Sequence, residues 1–420
     1  MRISTSTFYD ANIASMQQQG SALLKTQQQI ASGRRIVTPA DDPVAAAQAL
    51  NVSQAQSLNQ QYISNVAMAG DSLALVDTAL SSINELLMQA RDIVVSAGNP
   101  VLDRGSRQSL ANDLQGKYQQ LLGLANSVDA GGQYLFGGYR GTTQPFSVAS
   151  PGLVQYNGDQ GQRLIEVSPG RQIAVTNSGD EVFRRIATGN GSFATSAGLN
   201  SGSAVIDPGT VLDPSKWNSA ANSGDLTIHF AVNGANTTYD IIDNASGVSL
   251  LTGAAPAGAP YPRSYASGSA ISLSQAGPPA FDFGAQVTIA GAPANGDSFA
   301  IRTSTGQDVF KTLSDLAGLL QASNGGAALT NGLVAAQTNV DNALQNMQSV
   351  QTSVGARLKE LDAVKNGADD RDLQYSQTLS RLQDVDYAQA SSQLLQQQTN
   401  LEAAQKSFLK VSGLSLFNYL

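Results

Sequence analysis

Few residues in this sequence are placed to do chemistry. His229 is the only histidine among 420 residues and there is no cysteine, so a metal site would lack both thiolates and a second imidazole. In LTIHFAV, Leu226 to Val232, His229 alternates with Leu226, Ile228 and Phe230, which puts it on the polar face of a strand. The neighbouring carboxylates Asp41-Asp42, Asp180-Glu181, Asp369-Asp370 and Asp384/Asp386 could in principle serve as general acid and base. Each has a structural reading instead. Asp41-Asp42 stands before Pro43 as a helix cap, Asp369-Asp370 starts a helix, where acids suit the dipole, and Asp180-Glu181 follows a turn at Ser178-Gly179. No nucleophile motif, phosphate-cradling loop or dinucleotide fingerprint is present, and the doublets Gly131-Gly132 and Gly137-Gly138 do not join a strand to a helix. The expectation is a protein without catalytic, metal-binding or cofactor-binding residues: not an enzyme.

Composition narrows the partners. Charged residues are 13 % of the chain and the net charge is −8, about half the usual charged share. Gln, Asn, Ser and Thr replace them, giving a surface that hydrogen-bonds well and repels weakly, suited to packing against like chains. The only adjacent basic pairs are Arg34-Arg35 and Arg184-Arg185, so no basic stripe for nucleic acid is expected, nor binding to an anionic membrane. MRISTSTFYDANIASM has no apolar run of Sec-signal length, and no stretch reads as a membrane span. A secreted protein would need another exit.

Elements at both ends are helical. Ile13, Met16, Gly20, Leu23, Gln27 and Ile30 step by three and four, the spacing of a coiled-coil seam weakened by Gly20 and Gln27. The stretch IASGRRIVTPADDP then breaks the helix: Gly33 can take positive φ after Ser32, Thr38-Pro39 is extended, and Asp42-Pro43 restarts it. From Pro43 to Ala97 a stronger seam runs through Val52, Ala55, Asn59, Tyr62, Val66, Ala69, Leu73, Val76, Leu80, Ile83, Leu87, Ala90 and Val94. A third helix spans about Asp103 to Asp129. Leu329 to Val364 form another seam, a break is expected near Asn366-Gly367, and a last helix carries Leu394, Gln397, Leu401, Ala404, Phe408 and Val411 before LSLFNYL.

Between about Gly131 and Phe310 the apolar period drops to two. LTIHFAV and TTYDII, joined by Asn233-Gly234-Ala235-Asn236, read as a hairpin, and LVQYNGDQGQRLIEV, Leu153 to Val167, as another. DFGAQVTIAG and DSFAIRTS read as strands; about Thr188 to Ala221 and Ala254 to Tyr265 read as loop-rich. The fold class is therefore α+β, a long coiled-coil-like rod built from both chain ends with a mainly-β insertion at its far end. The expected domains are 1–42 with 370–420, 43–186 with 300–369, and the insertion 187–299. The outermost segments have few large apolar side chains, so they are expected to order only against neighbouring copies.

These residues carry a resemblance. MRISTSTFYDANIASMQQQG through IASGRRIVTPADDP, the segment SSINELLMQARDIVVSAGN, and RLQDVDYAQASSQLLQQQTNLEAAQKSFLKVSGLSLFNYL resemble the two ends of the bacterial flagellin family. GLSLFNYL, QYLFGGYRGTTQPF and NGDSFAIRTSTGQDVFKTLSDLAGLL favour its branch from the hook–filament junction. The resemblance covers roughly 1–186 and 295–420; nothing nameable matches 187–294. It implies a structural adaptor outside the cell, ringed between hook and filament and exported by the flagellar apparatus. The implied partners are other copies of itself, a hook-side hook-associated protein, flagellin or another filament-side subunit, and a cytoplasmic export chaperone at the C-terminal helix. The expected assembly interface comprises Ile13, Met16, Leu23, Ile30, Leu394, Leu401, Phe408, Val411, Leu416, Phe417 and Leu420. Arg34 and Arg35 either meet acidic groups of a neighbour or form a solvated loop pair. A flagellin of the filament itself and a secreted helical effector or translocator are the alternatives.

Overall fold

The computed structural model describes residues 5–150, 152–220, 222–256, 258–322 and 325–414. Helices α1 (Thr5–Ser32), α2 (Pro43–Ala97) and α3 (Arg104–Ala125) come first. The single turns α4 (Gly179–Phe183) and α5 (Pro214–Trp217) lie among the strands, and α6 (Val309–Ala322), α7 (Gly326–Gln383) and α8 (Tyr387–Leu414) close the chain. The fold is α+β as expected, with long helices at both ends and a mainly-β middle. Two compact units form. One combines Met1–Ala67, Glu166–Arg171 and Asp362–Leu420, the other Met68–Ile165 and Gln172–Leu361.

In the larger unit, Leu73, Val76, Leu80, Ile83 and Leu87 of α2 are wholly buried, as are Leu114 and Leu121 of α3 and Val340, Ala343 and Met347 of α7. Polar ties fix the helices beside one another: Gln351 of α7 donates to Asp77 and Ser81 of α2 at 3.1 and 2.9 Å, and Arg91 pairs with Asp341 at 3.0 Å. One stretch of α2, contrary to the sequence expectation, is long and apolar enough for a membrane span. Its alternation with Asn, Ser and Asp hid this, and Leu73, Leu80 and Leu87 of the helix are buried against protein.

QYLFGGYRGTTQPF finds its role in an aromatic cluster. Phe136, Phe146, Phe183 and Phe310 are fully buried, with Phe146 centroids 5.1 Å from Phe183 and 5.2 Å from Phe310. The hairpin expected over Leu153 to Val167 does not form. Leu153–Tyr156 pairs antiparallel with Phe146–Ser150, and Leu164–Ser168 with Arg171–Ala174. The residues between are tied elsewhere: Asp159 Oδ1 accepts from Tyr139 N and Gly161 N, and Tyr156 Oη donates to the Phe136 and Asp159 carbonyls.

The second expected hairpin does form. Asp225–Asn233 and Asn236–Asp243 pair with Asn233 opposite Asn236 and His229 opposite Asp240. They belong to a six-stranded sheet ordered Val248–Ser249, Asn236–Asp243, Asp225–Asn233, Ser298–Thr303, Phe193–Ala197, with Arg263–Ser264 also on Asn236–Asp243. A four-stranded sheet is built around Phe281–Ala290. Their shared core includes Phe193, Trp217, Ile228, Phe230, Leu273 and Phe299. The stretch read as loop-rich, Thr188 to Ala221, therefore contributes two core aromatics, Phe193 and Trp217, 4.7 Å apart.

A row of asparagines on α7 holds this β region by its backbone. Asn331 accepts from Ile206 N at 2.9 Å and donates to the Ala204 carbonyl at 3.0 Å. Asn339 accepts from Gly189 N, Asn342 donates to the Ala187 and Gly189 carbonyls, and Asn346 to the Glu181 and Val182 carbonyls. Strand ends thereby find partners that no ladder supplies.

Candidate assembly surface

In the smaller unit α7 runs unbroken through Asn366-Gly367, so the break expected there is absent and Asp369-Asp370 lies inside the helix. A helical Gly costs only about 1 kcal/mol. Buried Ala368 continues the seam, and Asn59 Nδ2 donates to its carbonyl at 2.7 Å while Asn59 Oδ1 accepts from Arg371 Nε at 3.3 Å. The break falls instead at Asp384–Asp386, where the Asp386 carboxylate accepts from Ala388 N and Gln389 N and starts α8.

The N-terminal break forms as expected. Gly33 follows Ser32 with φ +70°, and Asp42 Oδ1 accepts from Ala45 N at 3.0 Å to start α2. The two breaks are stitched together. Arg35 N donates to the Gln383 carbonyl at 2.6 Å and Val385 N to the Gly33 carbonyl at 3.0 Å. The Arg35 guanidinium donates to the Leu382 carbonyl at 2.9 Å and reaches Asp42 at 3.3 Å. Arg35 is thus engaged by its own chain, whereas Arg34 contributes backbone to a bridge with Asp384 and its side chain is exposed.

Asp41 braces the loop rather than capping the helix. It pairs with Lys25 at 2.7 Å and accepts from Thr38 N and Val37 N. The Lys25 bond foremost, then the Thr38 amide, lowers its pKa to about 2. Because the folded value lies below the unfolded one of about 4, this brace is fully present above about pH 4 and is lost as pH falls towards 2. Relative to their intrinsic exchange rates, the loop's amides are expected to lose protection between pH 4 and 2 in the native chain, and Asp41→Asn to show that lower protection already at pH 6; unchanged protection in Asp41→Asn would contradict the assignment.

α1 and α8 pack antiparallel. The Tyr9 and Phe408 rings meet edge to face at 5.8 Å at one end. At the other, a Cβ on Gly33 would stand 3.1 Å from the Tyr387 hydroxyl, a contact that a small movement of the ring relieves, so it is the φ of +70° that favours glycine there. The pair is thinly sealed. Met16, Leu23, Ile30, Leu394, Leu401 and Phe408 are only half-buried, and among the described side chains of α1 and α8 just Thr26 and Ala390 are buried. Gln19 Oε1 and Gln397 Oε1 are enclosed with no hydrogen-bond partner among the described residues, at a cost of about 1–3 kcal/mol each. Among the described residues, the large aliphatic side chains left outside are Ile13 at 41 % exposure, Leu24 at 60 %, Leu395 at 67 % and Leu409 at 69 %. Val411 lies in the last turn of α8; Leu416, Phe417 and Leu420 lie outside the described residues.

Sequence reading missed Leu24, Leu395 and Leu409, although a signal exists. Each is the second member of an apolar doublet: Leu23-Leu24, Leu394-Leu395, Phe408-Leu409. Successive helical residues point about 100° apart, so one seam cannot take both. His229 is half-buried opposite Asp240 and Ser298, and burial lowers its pKa. Asp180 is held by Arg184 and Arg185 at 3.3 and 2.8 Å. Among the described residues no three His, Cys, Asp or Glu side chains gather as a metal site.

Long helices at both chain ends and a central mainly-β region match the structures of flagellar junction proteins. Residues 3–140 match the bacterial flagellin N-terminal helical region. Over 417 residues the chain is 27 % identical to flagellar hook-associated protein 3 of Escherichia coli K12, covering 99 % of each. It superposes on the hook-associated protein 3 structure from Legionella pneumophila with a TM-score of 0.70 at 30 % identity, covering 79 % of this chain and 98 % of that one. For FlgL of Xanthomonas campestris the values are 0.67, 28 %, 78 % and 99 %. The chain belongs to the family of flagellar hook-associated protein 3, the flagellar junction proteins.

Proposed function

We propose that this chain is a structural adaptor of the bacterial flagellum that polymerises as a ring at the hook–filament junction and supports assembly of flagellin on its outer side. The observation that carries the reading is the doublet pattern on α1 and α8. One member of each doublet half-seals the intramolecular pair, and the other, Leu24, Leu395 or Leu409, is left for a neighbour. Burying a leucine fully is worth about 1.5–3 kcal/mol, so a ring that buries these three and Ile13 in each copy gains more than the single chain can. Arg34, exposed beside this surface, meets an acidic group of the adjoining copy, while Arg35 holds the break shut from within. Val411 and, outside the described residues, Leu416, Phe417 and Leu420 are included in the proposed interface.

The partners that follow are further copies of this chain, a hook-side hook-associated protein, flagellin or a filament-side subunit, and a cytoplasmic chaperone. The chaperone covers the apolar side of α8 until export to the outside of the cell. Full-length likeness to junction proteins supports this reading over a filament-forming flagellin. A strain lacking the gene is expected to build hooks and release unpolymerised flagellin into the medium. Normal filaments on that strain would overturn the proposal.

A further inference from the structure

Asparagine followed by glycine is a reactive step in any polypeptide. The glycine nitrogen can attack the asparagine side-chain carbonyl carbon, because the second residue has no β-carbon to hinder the approach. Seven such steps occur here, at Asn157, Asn190, Asn233, Asn295, Asn324, Asn331 and Asn366. Asn324 lies outside the described residues. The fold treats the other six differently. Attack needs a carboxamide free to turn, a glycine N–H not engaged elsewhere, and a backbone able to rotate between them.

Five of the six fail at least one of these conditions. Asn331 and Asn366 stand inside α7, where the rotation would break the helix. Asn157 Nδ2 donates to Ser147 Oγ at 2.9 Å and to the Gln144 carbonyl at 3.4 Å. Asn190 is held at both ends of its carboxamide: Nδ2 donates to the Pro208 and Gly209 carbonyls, and Oδ1 accepts from Ser192 N and Phe193 N. Asn295 Oδ1 accepts from Val232 N at 3.2 Å, and the attacking nitrogen, Gly296 N, donates to the Phe230 carbonyl at 3.0 Å. Asn233-Gly234 escapes all of them. Both residues are exposed at the tip of the hairpin. Among the described residues neither the Asn233 carboxamide nor Gly234 N has a hydrogen-bond partner. A Cβ on Gly234 would meet no atom within 4 Å, so the carboxamide has room to swing. Rotation at Asn233 disturbs only the last rung of the ladder, Asn233 with Asn236, and such ends open most readily.

We propose that Asn233 is a modification site, the position among these six at which the folded chain deamidates. Gly234 N gives its proton to a solvent base and bonds to Asn233 Cγ. The Cγ–Nδ2 bond breaks, and Nδ2 leaves as ammonia with a proton from water. Water then opens the resulting succinimide at either carbonyl, giving aspartate, or isoaspartate with the backbone routed through the side chain. Both products add one negative charge to the net −8. Isoaspartate also lengthens the backbone by one methylene, which displaces the Asn233–Asn236 rung. The site does not depend on the adaptor reading. The test is incubation of the purified full-length chain in mildly alkaline buffer, followed by digestion and peptide mass spectrometry with chromatographic separation of aspartate and isoaspartate. Asn233 is expected to convert at least five times faster than any of the other five, faster still as the pH rises, and to lose this lead in denaturant. If one of the five matches or overtakes Asn233 in the native chain, or if Asn233 keeps the same lead in denaturant, selection of this site by the fold is overturned.

Discussion

Replacing Leu24 and Leu395 together by Asp is expected to leave the single chain folded and to abolish its incorporation into flagella. Both side chains point away from the α1–α8 pair and are more than half exposed. Surface substitutions of this kind change stability by about 0.5 kcal/mol or less each, so far-UV circular dichroism and the midpoint of thermal unfolding should match the native chain. In the ring each copy would have to enclose two carboxylates where leucines belong, costing several kcal/mol per copy. Motility and the junction band on immunoblots should both disappear. The contrasting substitution is Leu23→Asp. Leu23 is half-buried with the α1–α8 seam, so this change should separate the helices in the single chain and lower its helicity. If the outward pair of changes is the one that unfolds the monomer, or if it assembles normally, the division of each doublet between inner and outer partners is wrong.

Asn331→Ala is expected to be the most damaging single change to the attachment of the β region, at about 2–4 kcal/mol. Asn331 is buried; its side chain serves Ile206 N, the Ala204 carbonyl and the Ala327 carbonyl, all within 3.0 Å. Alanine leaves the Ile206 N–H and the Ala204 carbonyl orphaned, each worth about 1–3 kcal/mol. Hydrogen exchange should show Val205–Ile206 and its partner Ile289–Ala290 opening far more often, with α1 and α8 unaffected. Protection unchanged at Ile206 would show that the asparagine is dispensable. Asn342→Ala, which removes two donated bonds from a more exposed site, should cost less.

Local rules of helix starts and stops carried far in this chain. Gly33, Asp42-Pro43 and Asp103 act where their side chains and backbone freedom allow. The failure at Asn366-Gly367 has the opposite cause: one glycine cannot end a helix whose apolar seam continues through Val364 and Ala368. Asp384–Asp386 ended it instead, where the Asp386 cap combines with the backbone bonds to Gly33 and Arg35. No spacing rule reveals a contact between residues about 350 positions apart. The failed hairpin at Leu153 to Val167 is similar. Its Asn-Gly turn was real chemistry, but Asp159 and Tyr156 were already committed to residues 136–139.

Seam reading of α1 and α8 picked out one side of each helix only. The regular spacing of Leu23, Ile30, Leu394, Leu401 and Phe408 found the side that closes within the chain. The second members of the doublets broke the pattern and were passed over, although their position demands a separate partner. The asparagines of α7 were invisible for the same reason: attention to the apolar positions of a helix discards its polar side, which here holds the β region by its backbone.

The central claim is that α1 and α8 pair within the chain yet complete their burial only among copies. Hydrogen–deuterium exchange on dilute monomer and on isolated hook–filament structures tests this most directly. The account predicts amides of Ser21–Ile30 and Gln389–Leu401 that exchange rapidly in the monomer and at least a hundredfold more slowly in the assembled state. Equal, strong protection of both helices in the dilute monomer would contradict it.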